Sequence, residues 1–166
     1  MMSSPDHLTD ALRGNVLFQT LSGRELKYLS RLIYPRVYRM NEIVYHQNDR
    51  GFGLYLISKG RVSIRAVSAT QEHQLTVLEP GSFFGELALI LPEHVRSTTA
   101  ITLEETLLIG FFKPDLLQIL ERKPEMGSKI LMQLTLVLSQ RLVETNEKVT
   151  FLSKARGIED VHENIY

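Results

Sequence analysis

The sequence contains no cysteine, which excludes disulfide bonds, thiolate metal sites and redox sensing through thiols. It also has no excess of either charge, because Lys plus Arg and Asp plus Glu both number 19. Without a global basic field, we expect the chain not to bind nucleic acid. The longest apolar stretch, residues 130–138, is too short and too interrupted to cross a bilayer. We therefore expect no association with a membrane.

Signals for secretion and for catalysis are also missing. The N-terminus lacks a cationic region followed by an apolar one, so we expect a cytoplasmic protein. The five histidines form no His-x-His pair with a downstream glutamate, the pattern that a metal-using barrel enzyme needs. No serine stands in a nucleophile-elbow pattern. The sequence thus predicts a protein that is not an enzyme and that holds no metal or cofactor.

Hydrophobic periodicity divides the chain into a helical start, a β-rich middle and a helical end. Ser22 and Glu25 form a capping-box pattern, which predicts a helix that continues to Ile33. Between residues 37 and 112, short alternating runs separated by turn residues are typical of an antiparallel barrel or sandwich. The predicted strands occupy residues 43–45, 54–57, 62–64, 75–78 and 106–112. The length of 166 residues suits a single domain with a sizeable core.

Residues 84–89 and 96–98 carry the strongest chemical pattern in the chain. Gly85, Glu86 and a small residue open a predicted single helical turn, whose first backbone N–H groups favour an anion. Glu86 would repel a phosphate, but its oxygens accept hydrogen bonds from a sugar hydroxyl. Arg96, at the start of the next strand, offers a planar fork of donors to two phosphate oxygens. The pattern predicts a site for a ligand with a sugar hydroxyl at one end and a phosphate at the other.

These segments resemble the phosphate-binding cassette of the cyclic-nucleotide-binding domain family, which includes catabolite activator protein, kinase regulatory subunits and nucleotide-gated channels. Residues 51–60 are similar to the family's strand and turn that end in a glycine, and residues 78–86 to its approach to the cassette. Residues 141–149 resemble the long C-terminal helix of the bacterial activators. The resemblance covers roughly residues 20–153, and its ordered motifs are more specific than a single short one.

The resemblance implies an α+β fold, an antiparallel β-barrel or jelly roll flanked by N-terminal helices and a long C-terminal helix. It also implies a division of the chain into three parts. Residues 1–20 would be a lead-in, residues 21–153 the cyclic-nucleotide-binding domain with its long helix at about 125–153, and residues 154–166 a short tail.

The resemblance further implies which residues bind the ligand. Gly85 and Glu86 would take the ribose 2′-hydroxyl, and Arg96 would pair with the cyclic phosphate. Thr145 occupies the position of a threonine that meets the adenine in the activators, and Asn146 that of a serine contributed across a dimer. The implied ligand-binding residues are Phe84, Gly85, Glu86, Leu87, Ala88, Arg96, Ser97, Thr98, Arg141, Thr145 and Asn146.

Each of these residues also has a purely structural explanation. Arg96 alone fits a surface arginine at a strand start, and Glu86 alone fits a carboxylate favoured near a helix N-terminus. Their combination at the family spacing favours ligand binding. Thr145 fits a base contact and a tolerated residue on an apolar helix face equally well. Arg141 and Asn146 are better explained as solvated residues.

The C-terminal helix carries a second prediction. From Glu125 onward nothing stops a helix until about Gly157. Its apolar residues narrow beyond Leu138 to a stripe formed by Leu142, Thr145, Val149 and Leu152. A narrow stripe is typical of a helix that contacts a second chain, so we expect a homodimer. The alternative is that this helix packs against its own domain.

Two functions of different classes follow. The first is a regulatory module that binds a cyclic nucleotide, with cyclic AMP expected, and that signals through its C-terminal helix to itself or to an effector protein. The second is a degenerate scaffold of the same fold that binds no nucleotide and acts by protein–protein interaction. Residues 154–166 are too short and too acidic for the DNA-binding domain of the bacterial activators, so direct transcription control is not expected. The sequence does not decide between adenine and guanine.

Overall fold

The computed structural model describes residues 5–68, 71–93 and 95–155. The helices in this part of the chain are α1 (Pro5–Arg13), α2 (Gly23–Leu29), α3 (Leu87–Ile90), α4 (Lys113–Arg122) and α5 (Pro124–Ala155). The strands are β1 (Tyr34–Tyr38), β2 (Ile43–Tyr45), β3 (Gly53–Lys59), β4 (Val62–Val67), β5 (Glu72–Leu78), β6 (Phe83–Phe84), β7 (Thr99–Thr102) and β8 (Thr106–Phe112). Most of the predicted tail, from residue 156 onward, lies outside the described residues.

The strands form two four-stranded sheets, in the orders β1-β8-β3-β6 and β2-β7-β4-β5. All pairings are antiparallel. A core cluster between the sheets joins residues of both, among them Ile57, Phe84 and Leu108 from the first sheet and Val62 and Ala100 from the second. This architecture confirms the predicted α+β, jelly-roll type of fold.

The helices cover the outer face of the first sheet. Leu54 and Leu56 of β3 point toward the helices, whereas Ile57 belongs to the cluster between the sheets. Such alternation is what a strand buried on both faces requires. The helical side of this core is formed by Leu12, Leu17, Phe18, Leu26, Leu29, Leu116, Ile119, Met126, Ile130 and Leu134. The N-terminal segment and the first half of α5 are therefore packed in one core with the sheet.

The start of α2 follows the predicted capping box. The Ser22 side chain accepts from the Glu25 amide, and the Glu25 carboxylate accepts from the Ser22 amide at 2.7 Å. Lys129 of α5 also donates to the Glu25 carboxylate at 2.9 Å. Burial acts to raise the pKa of Glu25, but hydrogen bonds from Lys129 and Ser22 outweigh it and leave this pKa below its ordinary value. Glu25 thus links α2 to α5.

Some predicted boundaries were wrong. Helix α2 ends at Leu29 rather than at Ile33, because Ser30 caps it and the chain then turns into β1. Strand β1 was missed, since Pro35 cannot donate to a ladder. The proline is tolerated because β1 is an edge strand of its sheet. In the described part of the chain, no helix is both long and apolar enough to span a membrane.

Candidate ligand-binding site

A cavity of about 430 Å³ lies where the segment around α3 meets the second sheet and α5. Every predicted ligand-binding residue except Ala88 and Asn146 lines it. Ala88 is buried. The lining residues that sequence reasoning missed are Tyr45, Ile64, Thr76, Leu78, Phe83, Glu144 and Lys148. These come from β2, β4, β5, β6 and α5, and no local motif marks them as neighbours.

Arg96 lies in the wall of this cavity and is only 4% exposed. Its Nη1 donates to the Gly85 carbonyl at 2.8 Å, and its Nη2 donates to the Gly53 carbonyl at 2.7 Å. Among the described residues, its Nε has no hydrogen-bond acceptor. A guanidinium carries five N–H donors, so more than half of its donor capacity is left over. Burial lowers the pKa of Arg96 below its ordinary value.

Glycines leave the room that the guanidinium occupies. Gly85 has φ of 76°, a left-handed conformation that favours glycine. A Cβ atom at Gly85 would come within 2.5 Å of Nη1 of Arg96. At Gly51, a Cβ atom would lie 2.9 Å from Nε of Arg96 and 2.6 Å from the Cβ of Ala88. A larger residue at either position would therefore displace the Arg96 side chain.

Glu86 and Arg141 form an ion pair that connects the cassette to α5. The distance between Nη1 of Arg141 and Oε1 of Glu86 is 2.6 Å, and the Glu86 side chain is 11% exposed. The Nη2 of Arg141 donates to the Phe83 carbonyl at 3.1 Å. The Arg141 guanidinium also lies 4.7 Å from the centre of the Phe83 ring. The interpretation of Arg141 as a solvated residue was therefore wrong, because it is half-buried and anchored at three points.

The two other predicted residues on α5 differ in position. Thr145 lines the cavity, and its hydroxyl donates to the Arg141 carbonyl at 2.7 Å. This bond leaves the hydroxyl oxygen able to accept from a ligand. Asn146 lies elsewhere on the helix, on a surface with Val143 and Phe151. The structure does not bring Asn146 to the cavity of its own chain.

Comparisons with known proteins agree with this geometry. Residues 35–123 match the family profile described as "Cyclic nucleotide-binding domain". The chain belongs to the cyclic nucleotide-binding domain family. This result confirms the resemblance that the sequence shows.

Similar proteins include a receptor protein and two solved structures. A "Cyclic AMP receptor protein" of Thermus thermophilus is 33% identical over 86% of this chain and 64% of its own length. A crystal structure of Thermus thermophilus catabolite activator protein has a TM-score of 0.75 at 31% identity, covering 84% of this chain and 63% of that one. A cyclic nucleotide-binding domain from Methylobacillus flagellatus has a TM-score of 0.77 at 22% identity, covering 97% and 86%. The chain thus spans less than two thirds of the first relative's length.

Proposed function

We propose that this domain binds a cyclic nucleotide, with cyclic AMP as the expected ligand, and that it acts as a regulatory module. The name of the Thermus relative, a cyclic AMP receptor protein, supports this choice of ligand. The observation that carries the proposal is the buried guanidinium of Arg96, which has unused donors in the wall of a cavity.

The electrostatics of Arg96 favour a singly charged ligand. Within the described residues, no carboxylate forms an ion pair with Arg96. The effective penalty for a buried ion is several kcal/mol, and two backbone carbonyls compensate it only in part. A cyclic phosphate diester carries one negative charge and two free oxygens, which complement the remaining donors.

The other end of the cavity suits a sugar and a base. The oxygens of Glu86 can accept from the ribose 2′-hydroxyl while Arg141 keeps this carboxylate in position. Aliphatic side chains of Ile64 and Leu78 line the wall on the sheet side, where an apolar base face can pack. The cavity volume of about 430 Å³ lies in the usual range for a small-ligand site.

The ion pair between Glu86 and Arg141 gives the ligand a route to α5. A ribose hydroxyl that binds Glu86 changes the contacts of the side chain to which α5 is anchored. We propose that the nucleotide shifts α5 between two arrangements. Hydrogen exchange of residues 142–152 with and without ligand tests this idea, and identical protection in the two states would contradict it.

The outer half of α5 supports a dimer. Leu142, Val149 and Leu152 are 61%, 48% and 54% exposed, so they do not pack on their own domain. An apolar stripe of this kind fits a second copy of the helix. Asn146 lies next to this stripe on the helix surface and faces away from its own cavity, as a residue contributed across a dimer would. An effector protein remains a further expected partner, and a cytoplasmic location stays a prediction.

Calorimetric titration separates a sensor from a scaffold that binds no nucleotide. We expect the protein to bind cyclic AMP, and to bind 5′-AMP much more weakly. 5′-AMP brings a second negative charge, whereas Arg96 is the buried cation of the described cavity lining that has no carboxylate partner. Cyclic GMP in a parallel titration tests the expected preference for adenine. Absence of heat with both cyclic nucleotides, for protein shown to be folded, would support the scaffold.

A further inference from the structure

Tyr45, the last residue of β2, supports the guanidinium of Arg96 from one side. The Arg96 Cζ lies 4.2 Å from the centre of the Tyr45 ring. The same ring lies 6.2 Å from the Tyr55 ring and 6.0 Å from the Phe84 ring, and these two rings stack at 5.6 Å. Three aromatic rings thus form a continuous layer.

The local backbone brings Tyr45 to this place. The pairing of β2 with β7 is irregular between Ile43 and Tyr45, and such irregularities re-aim side chains. The chain that follows β2 is then tied to the backbone of Arg96. The Asn48 amide donates to the Arg96 carbonyl at 2.8 Å, and the Arg96 amide donates to the Asp49 carbonyl at 2.8 Å. These backbone hydrogen bonds therefore keep the segment that follows Tyr45 next to Arg96.

The hydroxyl of Tyr45 lies at the edge of the ring, beside the side chain of Thr98. Burial raises the pKa of Tyr45, while Arg96 and the side chain of Thr98 act in the opposite direction. The tyrosine therefore stays neutral at physiological pH, with the polar Thr98 side chain next to its hydroxyl. A hydroxyl group without such a partner would be costly to bury. The residue thus has an apolar face for Arg96 and a polar edge toward Thr98.

The two carbonyl bonds alone leave the guanidinium free to tilt. Nη1 and Nη2 are each held by one acceptor, and Nε has none among the described residues. A ring against the guanidinium face blocks rotation out of the plane, because a planar cation stacks on an aromatic face. The plane of the guanidinium decides which phosphate oxygen its remaining donors meet.

We propose that Tyr45 is a positioning residue, whose ring fixes the Arg96 guanidinium so that the site distinguishes the two free oxygens of a cyclic phosphate. This inference rests on the proposed function and adds stereochemical selectivity for the phosphate to it. Tyr45 acts through Arg96 and not as an independent source of binding energy.

The experiment uses cyclic AMP and its two phosphorothioate diastereomers, in which sulfur replaces one or the other free oxygen. Affinities are measured by calorimetry for the wild type, Tyr45→Phe and Tyr45→Leu. We expect Tyr45→Leu to weaken cyclic AMP binding by about 2- to 30-fold, the range of a cation–π contact. We also expect it to reduce the preference between the diastereomers. Tyr45→Phe keeps the ring, so its affinity and its diastereomer preference should both stay within about twofold of the wild type.

A matched control distinguishes positioning from general packing. Tyr38 is buried in the core between the sheets and does not line the cavity. Like Tyr45 it contacts an arginine, because the Arg36 Cζ lies 4.3 Å from the centre of the Tyr38 ring. Tyr38→Leu should leave the diastereomer preference unchanged, because a smaller folded fraction scales both affinities equally. In an Arg96→Ala background, Tyr45→Leu should have an effect of less than about twofold on cyclic AMP affinity, since its target is gone.

The outcomes are separable. A wild type that binds no cyclic nucleotide refutes the proposed function itself. A wild type that binds, with Tyr45→Leu retaining both affinity and diastereomer preference, overturns only the role of Tyr45. A Tyr45→Leu effect that persists undiminished without Arg96 also overturns it, because the ring would then act directly.

Discussion

Replacement of Arg96 by alanine tests the electrostatic basis of the site. Hydrogen bonds to a charged group contribute about 1.5–3 kcal/mol each, and the guanidinium has donors that no described protein atom uses. Loss of one such bond to the phosphate should weaken cyclic AMP binding by about 10- to 150-fold. Arg96→Lys keeps the charge but loses the planar fork, so we expect an intermediate loss.

Adenosine serves as the matched ligand for this experiment, because it keeps the base and ribose and has no phosphate. Competition titration should show that Arg96→Ala leaves adenosine affinity unchanged within about twofold, while cyclic AMP affinity falls by at least about tenfold. Thermal unfolding of the wild type and the variant measures the stability that is lost when the Gly85 and Gly53 carbonyls lose their donor. Equal losses for the two ligands would refute the reasoning, since Arg96 would then act through the shape of the cavity.

Other predictions concern the ribose contact, the dimer and the pH dependence of stability. Glu86→Gln should reduce the preference for cyclic AMP over its 2′-deoxy analogue, measured by competition, because a neutral acceptor binds the hydroxyl less strongly. Leu142→Glu should shift a dimer toward monomer in analytical ultracentrifugation. Leu117→Glu is the matched control, because Leu117 is also a leucine that is 55% exposed, and it should leave the dimer unchanged. The lowered pKa of Glu25 stabilises the fold above its ordinary pKa of 4.5 and ceases to do so as the pH falls through the folded value. The stability difference between wild type and Glu25→Gln, below about 1 kcal/mol for this partly exposed pair, should therefore be present at pH 7 and vanish in acid.

The sequence predicted the elements whose local chemistry is unambiguous. β2 and β8 have the predicted bounds, and the capping box of α2 is present. The segment with Glu86 forms the predicted single helical turn, α3, directly after it. These features depend on neighbours within a few residues. The sequence can therefore predict them without knowledge of tertiary contacts.

The remaining features depend on contacts between distant segments. β6 has only two residues and exists because it pairs with β3. Tyr45 gives no sign in the sequence that it will meet Arg96, since the irregular pairing of β2 brings them together. Arg141 likewise becomes half-buried only because α5 passes the Glu86 carboxylate. The ligand roles assigned to the cavity residues stay predictions.

The central claim is that the buried guanidinium of Arg96 receives the negative charge of a cyclic phosphate. The most direct measurement is a ¹⁵N–¹H correlation spectrum of the arginine side chains, recorded with and without cyclic AMP. The Arg96 signal is identified by its loss in Arg96→Lys. We predict that saturating ligand moves this Nε–H signal downfield and slows its exchange with water. An Arg96 signal that stays unchanged while cyclic AMP binds would contradict the account.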